Sequence, residues 1–320
     1  MGPPDKPGDD EPGVGGAQVT LTLLYGLPSP GLIEGPTSTT QVSPLILGSS
    51  DLAAMDDASA DQAIVLAPGG TLERDYVLAQ MLRVLKPGAA LTALAPKDKG
   101  GSRLRKALER FGCAVSEDAR RHHRFCHAVR PLDLCDVPEA ISAGSPKLLP
   151  ALGVWTQPGV FSWDRIDPGS ARLIDLLPPM KGRGADLGCG VGVLAAKVLS
   201  APGVAALTCV DLDRRAVACA AHNLADPRVS VLWADVRRLD VGLSDLDFVV
   251  MNPPFHDGGA EDRDLGVAFI HAAAGRLRRG GVCWLVANRH LPYEASLKGA
   301  FASVAVRADA GGYKIFEARK

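Results

Sequence analysis

Phe248-Val249-Val250-Met251-Asn252-Pro253-Pro254-Phe255 is the stretch on which the reading of this chain turns. Its first four residues are an apolar run of the kind that forms a buried strand. The next four make a turn with a polar start, two prolines and an aromatic end. Upstream stands a second signal, Asp186-Leu187-Gly188-Cys189-Gly190-Val191-Gly192. A glycine-rich turn after one strand and a polar-Pro-Pro-aromatic turn after a later one predict a ligand cradle beside a reaction point. Both fall at the carboxyl ends of strands in one sheet, where open α/β sheets bind their ligands.

Outward from these motifs, strand and helix signals alternate. Strands are expected at 184–187, 206–210, 229–233, 246–251 and 282–287, and helices at 193–200, 214–225 and 265–277, the last broken by Gly280-Gly281. Repeated β-α units with short connections predict a parallel, doubly wound sheet. Residues 304–307 and 313–318, across Gly311-Gly312, predict a terminal antiparallel hairpin.

The spacing of acids narrows the ligand. Glycines at 188, 190 and 192 do not follow the GxGxxG dinucleotide pattern. Asp211 stands 25 residues beyond Asp186, at the end of the next strand, where a carboxylate can accept both hydroxyls of a ribose. A dinucleotide enzyme would use the same position, so Asp211 alone does not discriminate. Asp235 ends the third strand. Each acid also fits a helix cap. In the tetrapeptide, the Asn252 side-chain oxygen and the Pro253 carbonyl can accept hydrogen bonds from an NH2 group. Such a group, conjugated to a base or a carbonyl, is a poor nucleophile, and two acceptors orient it and favour the charge that builds on it. Pro253 and Pro254 stiffen the turn, and Phe255 can stack on a planar base.

The chain has 320 residues, which suggests two domains, and a hydrophobic content of 47% is enough to fill both cores. No apolar run reaches the roughly 20 residues of a membrane span. Residues 1–16 read as a disordered tail without the character of a signal peptide. Seven scattered cysteines, none in a CxxC pair, point to a reduced, cytoplasmic protein with no zinc site. Net charge is −1, which argues against simple nucleic-acid binding through a basic chain. Between Lys97 and Arg130, however, ten basic residues face four acids, with His122, His123 and His127 added. That segment fits a solvated helix face plus a basic strand, or a phosphate-contacting patch.

The amino half repeats the carboxyl half. Leu85-Lys86-Pro87-Gly88-Ala89-Ala90 aligns with Leu277-Arg278-Arg279-Gly280-Gly281-Val282, and residues 61–69 align with 246–255. The copy lacks the Asn, the aromatic and the acid-led glycine turn.

The two motifs together resemble those of class I S-adenosylmethionine-dependent methyltransferases that act on exocyclic or amide nitrogens. Three further stretches are similar to the 16S ribosomal RNA guanine-N2 methyltransferases, the small-subunit methyltransferase C type: Pro158-Gly159-Val160-Phe161-Ser162 running on to Gly169-Ser170, residues 252–258, and residues 286–293. The resemblance implies two tandem Rossmann-like methyltransferase domains: a degenerate copy at 17–140, a linker at 141–152, and a catalytic seven-stranded domain at 153–320. It implies S-adenosylmethionine held by Asp186, Gly188, Gly190, Gly192, Asp211, Asp235 and Asn252, Asp235 reading the adenine amino group. Asn252, Pro253, Pro254 and Phe255 would be catalytic, and no metal is implied. His256 and Asp257 fit either a general base or a capped loop. The implied partner is 16S rRNA in the small ribosomal subunit, contacted through 97–130. Alternatives are a 23S rRNA guanine-N2 enzyme, a glutamine-amide methyltransferase, or a non-enzymatic RNA-binding or assembly protein on the same scaffold.

Overall fold

The structure, a computed structural model, describes residues 20–33, 38–239, 242–254, 256–257, 260–261 and 263–320. The tail expected at 1–16 lies outside the described residues.

In the amino half, six strands form one sheet: β1 (Thr22–Tyr25), β2 (Thr40–Gln41), β3 (Ala60–Leu66), β4 (Leu85–Pro96), β5 (Val115–Arg120) and β6 (His123–Val129). Their order is β2-β1-β3-β4-β6-β5, with the first four parallel and the last two forming an antiparallel hairpin. Helices α1 (Thr71–Val84), α2 (Leu104–Arg110) and α3 (Val137–Gly144) all pack on one face, against Leu23, Val65 and Ala93. On the other face Leu24, Ile64, Leu66, Leu94 and Phe125 are covered by Leu32 and Ile33 of the loop after β1. Residues 141–152, expected as a linker, hold the end of α3 and strand β7 (Lys147–Leu149), which pairs with β8 (Val154–Thr156).

The carboxyl half begins with α4 (Pro168–Leu176), β9 (Gly182–Leu187), α5 (Val193–Leu199), β10 (Val204–Asp211), α6 (Arg214–Asn223), β11 (Val229–Trp233) and β12 (Leu246–Met251). A short ribbon, β13 (His256–Asp257) and β14 (Ala260–Glu261), leads to α7 (Arg263–Arg276), β15 (Leu277–Asn288), α8 (Glu294–Ala300), β16 (Ser303–Ala310) and β17 (Tyr313–Arg319). The seven-stranded order is β11-β10-β9-β12-β15-β17-β16, the arrangement of class I methyltransferases. Successive side chains of a strand point to opposite faces. Phe248 and Val250 therefore enter the core under α4 and α5 with Leu173 and Leu194, while Val249 and Met251 face Ile270 and Leu297 of α7 and α8. Cover on both faces is why this strand is a continuous apolar run. Phe248 is buried, and its truncation to Ala would cost about 3–5 kcal/mol.

Several element boundaries differ from the sequence reading, and two of the differences have a visible cause. Gly280-Gly281 does not break the helix: α7 ends at Arg276, and β15 starts at Leu277 and passes the glycines in a bulge, with Gly280 at φ 77°. Helix α6 stops at Asn223 rather than Ala225. The Asn223 side chain there accepts from the Trp155 backbone N–H at 2.7 Å and donates to the Val191 carbonyl at 2.9 Å. This side chain ties the glycine turn to the segment that precedes the sheet.

The carboxyl-end loops of the two sheets touch. Arg215, at the start of α6, pairs with Glu73 in the first turn of α1 at 2.6 Å. The neighbouring Arg214 donates from its backbone to Pro44 at 3.0 Å and from its guanidinium to the Ser49 carbonyl at 2.9 Å.

Candidate active site

The glycine turn joins β9 to α5 in a cleft shared with Asp167, Ser170 and Asn252. Gly190 and Gly192 have φ of 54° and 91°, a left-handed backbone that disfavours side chains. A Cβ on Gly192 would sit 2.8 Å from Leu224, so the turn must pack closely there. A Cβ on Gly190 would meet nothing within 4 Å, so this glycine borders open space in which a ligand can approach the backbone.

Asp211, at the end of β10, accepts from the Gly190 N–H at 2.8 Å and the Asp213 N–H at 2.9 Å. Burial nevertheless pushes its carboxyl up to about 6. Asp186 is fully buried, and neither of its oxygens has a formed hydrogen bond. Burial, with the nearby Asp211 charge adding, pushes it up to about 8, and the Ala195 backbone N–H offsets only part of this. The Thr156 hydroxyl, also buried at this cleft, lacks a partner as well. Buried polar groups without partners are costly. Here Asp186 lies in β9 just before the turn and Thr156 lines its cleft, and the pair fit a ligand that brings hydrogen-bond donors and positive charge. Asp235 caps the short 3-10 turn Val236–Arg238, accepting from the Arg237 N–H at 2.9 Å. It also holds the Arg237 guanidinium at 2.8 Å, which keeps its carboxyl below the usual range.

Asn252 follows β12 directly. Its Nδ2 donates to Asp167 Oδ2 and to Ser170 Oγ, each at 2.9 Å. Pro253 is buried and Pro254 exposed. Phe255 lies outside the described residues. Cys189 inside the glycine turn is buried, and contact with Cys209 and burial raise its thiol well above the ordinary value. A thiolate nucleophile is thereby disfavoured. Among the described residues no group of three or more His, Cys, Asp or Glu could hold a metal ion. No helix among them is long and apolar enough to cross a membrane. A separate cavity of about 580 Å³ lies at the opposite, amino end of the sheet, between Asp247, Arg278 and Glu317. It contains none of the glycine-turn residues.

The structure thus brings Asp186, Asp211, the three glycines and Asn252 to one edge. Asp235 follows the adjoining strand β11, already engaged by Arg237. Asp167 and Ser170, both within the 158–170 segment, are the partners of Asn252, and Thr156 lines the same cleft; no spacing in the sequence marks these three.

The methyltransferase small domain family matches residues 151–317. The ribosomal RNA small subunit methyltransferase C of Shewanella loihica is 32% identical over 269 residues, covering 81% of this chain and 77% of that protein. The chain belongs to the ribosomal RNA small subunit methyltransferase C family. The Acinetobacter baumannii protein of the same name is 29% identical over 81% of this chain and 79% of its own length. Among solved structures, the T. thermophilus 16S rRNA N2 methyltransferase in complex with S-adenosylmethionine and guanosine superposes with a TM-score of 0.74. That match has 23% identity and covers 95% of this chain and 89% of that one, so the fold is shared across both halves. As a member of the small-subunit methyltransferase C family, the chain is a class I, S-adenosylmethionine-dependent methyltransferase.

Proposed function

We propose that the protein methylates the exocyclic N2 of a guanine in 16S rRNA of the small ribosomal subunit. The observation that carries this reading is the placement of Asn252. It closes β12 in the same cleft as the glycine turn, with its amide nitrogen already bound by Asp167 and Ser170. Its amide oxygen is the group left to accept from an amine.

S-adenosylmethionine, when bound, supplies an electrophilic methyl group whose C–S electrons stay on sulfur as the amine nitrogen attacks. Asp211 would accept the ribose hydroxyls while the Gly190 N–H steadies it. Asp186 would face the cationic end of the cofactor, and Asp235 the adenine edge. Asn252 Oδ1 and the Pro253 carbonyl would accept the two amine protons and aim the nitrogen lone pair at the methyl group. They also favour the positive charge that develops on the nitrogen, whose surplus proton then leaves to solvent. Phe255 would stack on the guanine.

Cationic residues at the carboxyl end of the amino-half sheet would contact the RNA backbone. Within 97–130, Arg105 is paired with Glu109 and Glu117, Arg110 with Asp75 and Asp136, and Arg120 with Asp118. Lys97, Arg121 and Arg124 gather where β4 ends and the β5–β6 turn begins, and the Lys97 N–H donates to the His122 carbonyl at 3.0 Å. Replacing Lys97 and Arg121 with Ala should raise KM for RNA and lower the slope of log affinity against log salt concentration by about one per lost contact. An unchanged salt slope would remove this edge from the RNA path.

The reading as a whole is tested with labelled S-adenosylmethionine against small subunits, naked 16S rRNA, large subunits, tRNA and release factor. N2-methylguanosine in small-subunit RNA is the expected product. Label in large-subunit RNA or in protein would replace the substrate, and no transfer with intact cofactor binding would contradict all three substrate readings.

A further inference from the structure

We propose that Asp167 and Ser170 are positioning residues that lock the Asn252 amide with its oxygen toward the acceptor. This rests on Asn252 acting on the amine as described above. An asparagine amide can turn over, exchanging its oxygen, which accepts, for its nitrogen, which donates. Only one orientation suits a guanine amine, because N2 itself donates. The flipped amide would set donor against donor and push the nitrogen away from the methyl group.

The orientation is decided 85 residues upstream, at the start of α4. Asp167 is the N-cap of this helix, and its Oδ2 accepts from the Ser170 N–H at 2.8 Å. The same oxygen accepts from Asn252 Nδ2 at 2.9 Å. An ionised carboxylate has no proton to donate, so the Asn252 atom facing it must be the nitrogen. The second Nδ2 proton goes to Ser170 Oγ at 2.9 Å, and Ser170 is only 8% exposed. Both amide protons are therefore used inside the protein, and Oδ1 is the group left for substrate. Donation to a carboxylate also polarises the amide. Electron density moves to Oδ1 and makes it a stronger acceptor as positive charge develops on N2. One side chain thus joins a helix cap to the alignment of the reacting nitrogen.

The two roles of Asp167 separate by substitution. Serine caps helices about as well as aspartate, but it is too short to replace the carboxylate oxygen opposite Asn252. Asparagine both caps and accepts. Asp167→Ser should keep the melting temperature and the cofactor Kd, and leave KM for RNA within about twofold, while kcat falls about 10- to 100-fold. Asp167→Asn should retain most of kcat. Asn252→Asp alone should be poor, because two carboxylates then face each other. Adding Asp167→Asn should not restore it, because the position of Oδ2 meets both residue 252 and the Ser170 N–H, and a nitrogen placed there to donate to the new carboxylate would oppose that N–H.

Wild-type kcat in Asp167→Ser would overturn the proposal. So would an equal loss in Asp167→Ser and Asp167→Asn accompanied by weaker cofactor binding, which would make Asp167 a cofactor ligand. Full activity in Asn252→Ala would instead overturn the role given to Asn252, and the two failures are told apart by that variant.

Discussion

At the amino ends of their strands the two sheets are tied by the same contacts; at the carboxyl ends they have parted. Asp247 accepts from the Arg183 backbone at 2.8 Å and pairs with Arg278 at 2.7 Å. Asp61 accepts from the Leu21 backbone at 2.8 Å and pairs with Lys86 at 2.6 Å. The last strand is clamped alike in both. Gly280 donates to Lys320 and Lys320 to Gly281, and Gly88 donates to Arg130 and Arg130 to Ala89. Carrying this registration along the strands puts Leu24 where the other sheet has Asp186, and Leu66 where it has Asn252. Strand β2 has 2 residues where β10 has 8, and no counterpart of β11 joins the sheet among the described residues. Contacts that hold a sheet need no ligand and survive in both halves. Asp186, a buried acid without a formed hydrogen bond, and the Asn252 amide stand in the carboxyl half where the amino half has Leu24 and Leu66, which pack with Leu32.

The largest effect should come from removing the site from the half that has it. Asn252→Ala should lower kcat about 100- to 1,000-fold with cofactor affinity nearly intact. Leu66→Ala, at the matching place, should leave turnover per folded molecule unchanged. Equal loss of cofactor binding and turnover in Asn252→Ala would count against the role given to Asn252.

Next in size is the contact between the halves. The Arg215 and Glu73 side chains are 11% and 16% exposed, and Arg215 also pairs with Asp213. Arg215→Ala should destabilise by about 3–5 kcal/mol, because it leaves two mostly buried carboxylates without their cation. Chemical denaturation reads this directly, and a loss below about 1 kcal/mol, the scale of an exposed pair, would show that the lobes are joined elsewhere.

A smaller effect separates the acids at the cleft from those at the amino ends. Asp186 and Asp211 have carboxyls raised to about 8 and about 6, chiefly by burial. A carboxyl raised in the folded state contributes stability that is complete below its unfolded pKa of about 3.9. That contribution is lost as pH rises through the folded value. The ligand-free protein should therefore lose stability between about pH 4 and 8 from these groups. A cationic, hydroxyl-bearing cofactor favours the ionised forms, so its affinity should rise across about pH 6 to 8 with proton release. Titration calorimetry in two buffers measures that release, and pH-independent binding would mean these acids do not meet the cofactor.

The smallest effect should be the most symmetrical. Asp247 and Asp61 have lowered carboxyls, Asp247 mainly through the Arg183 N–H and Asp61 mainly through Lys86. Asp61→Ala and Asp247→Ala should each lower the melting temperature slightly and by similar amounts, with kcat unchanged. A large loss in only one would show that the two ties are not equivalent.

Much of the carboxyl half was legible in the sequence because buried strands leave continuous apolar runs and the acids and glycines stand at their ends. Strand β11 falls at 229–233 as expected, and β12 at 246–251. Gly280-Gly281 misled because a glycine pair signals a stop, yet here it forms a bulge within β15. Strand β2 was illegible because two residues carry no period. The basic segment overstated its charge, since Arg110 answers to Asp75 and Asp136, acids outside the segment that only the fold brings near. Asp167 and Ser170 were hidden for the same reason: their meaning depends on Asn252, far along the chain.

The most direct test of the account is nucleoside mass spectrometry of small subunits lacking the modification, incubated with the protein and S-adenosylmethionine, beside the Asn252→Ala variant. N2-methylguanosine is expected in 16S rRNA with the wild-type chain and almost none with the variant. Equal product from both, or methyl groups only on another nucleoside or on protein, would contradict it.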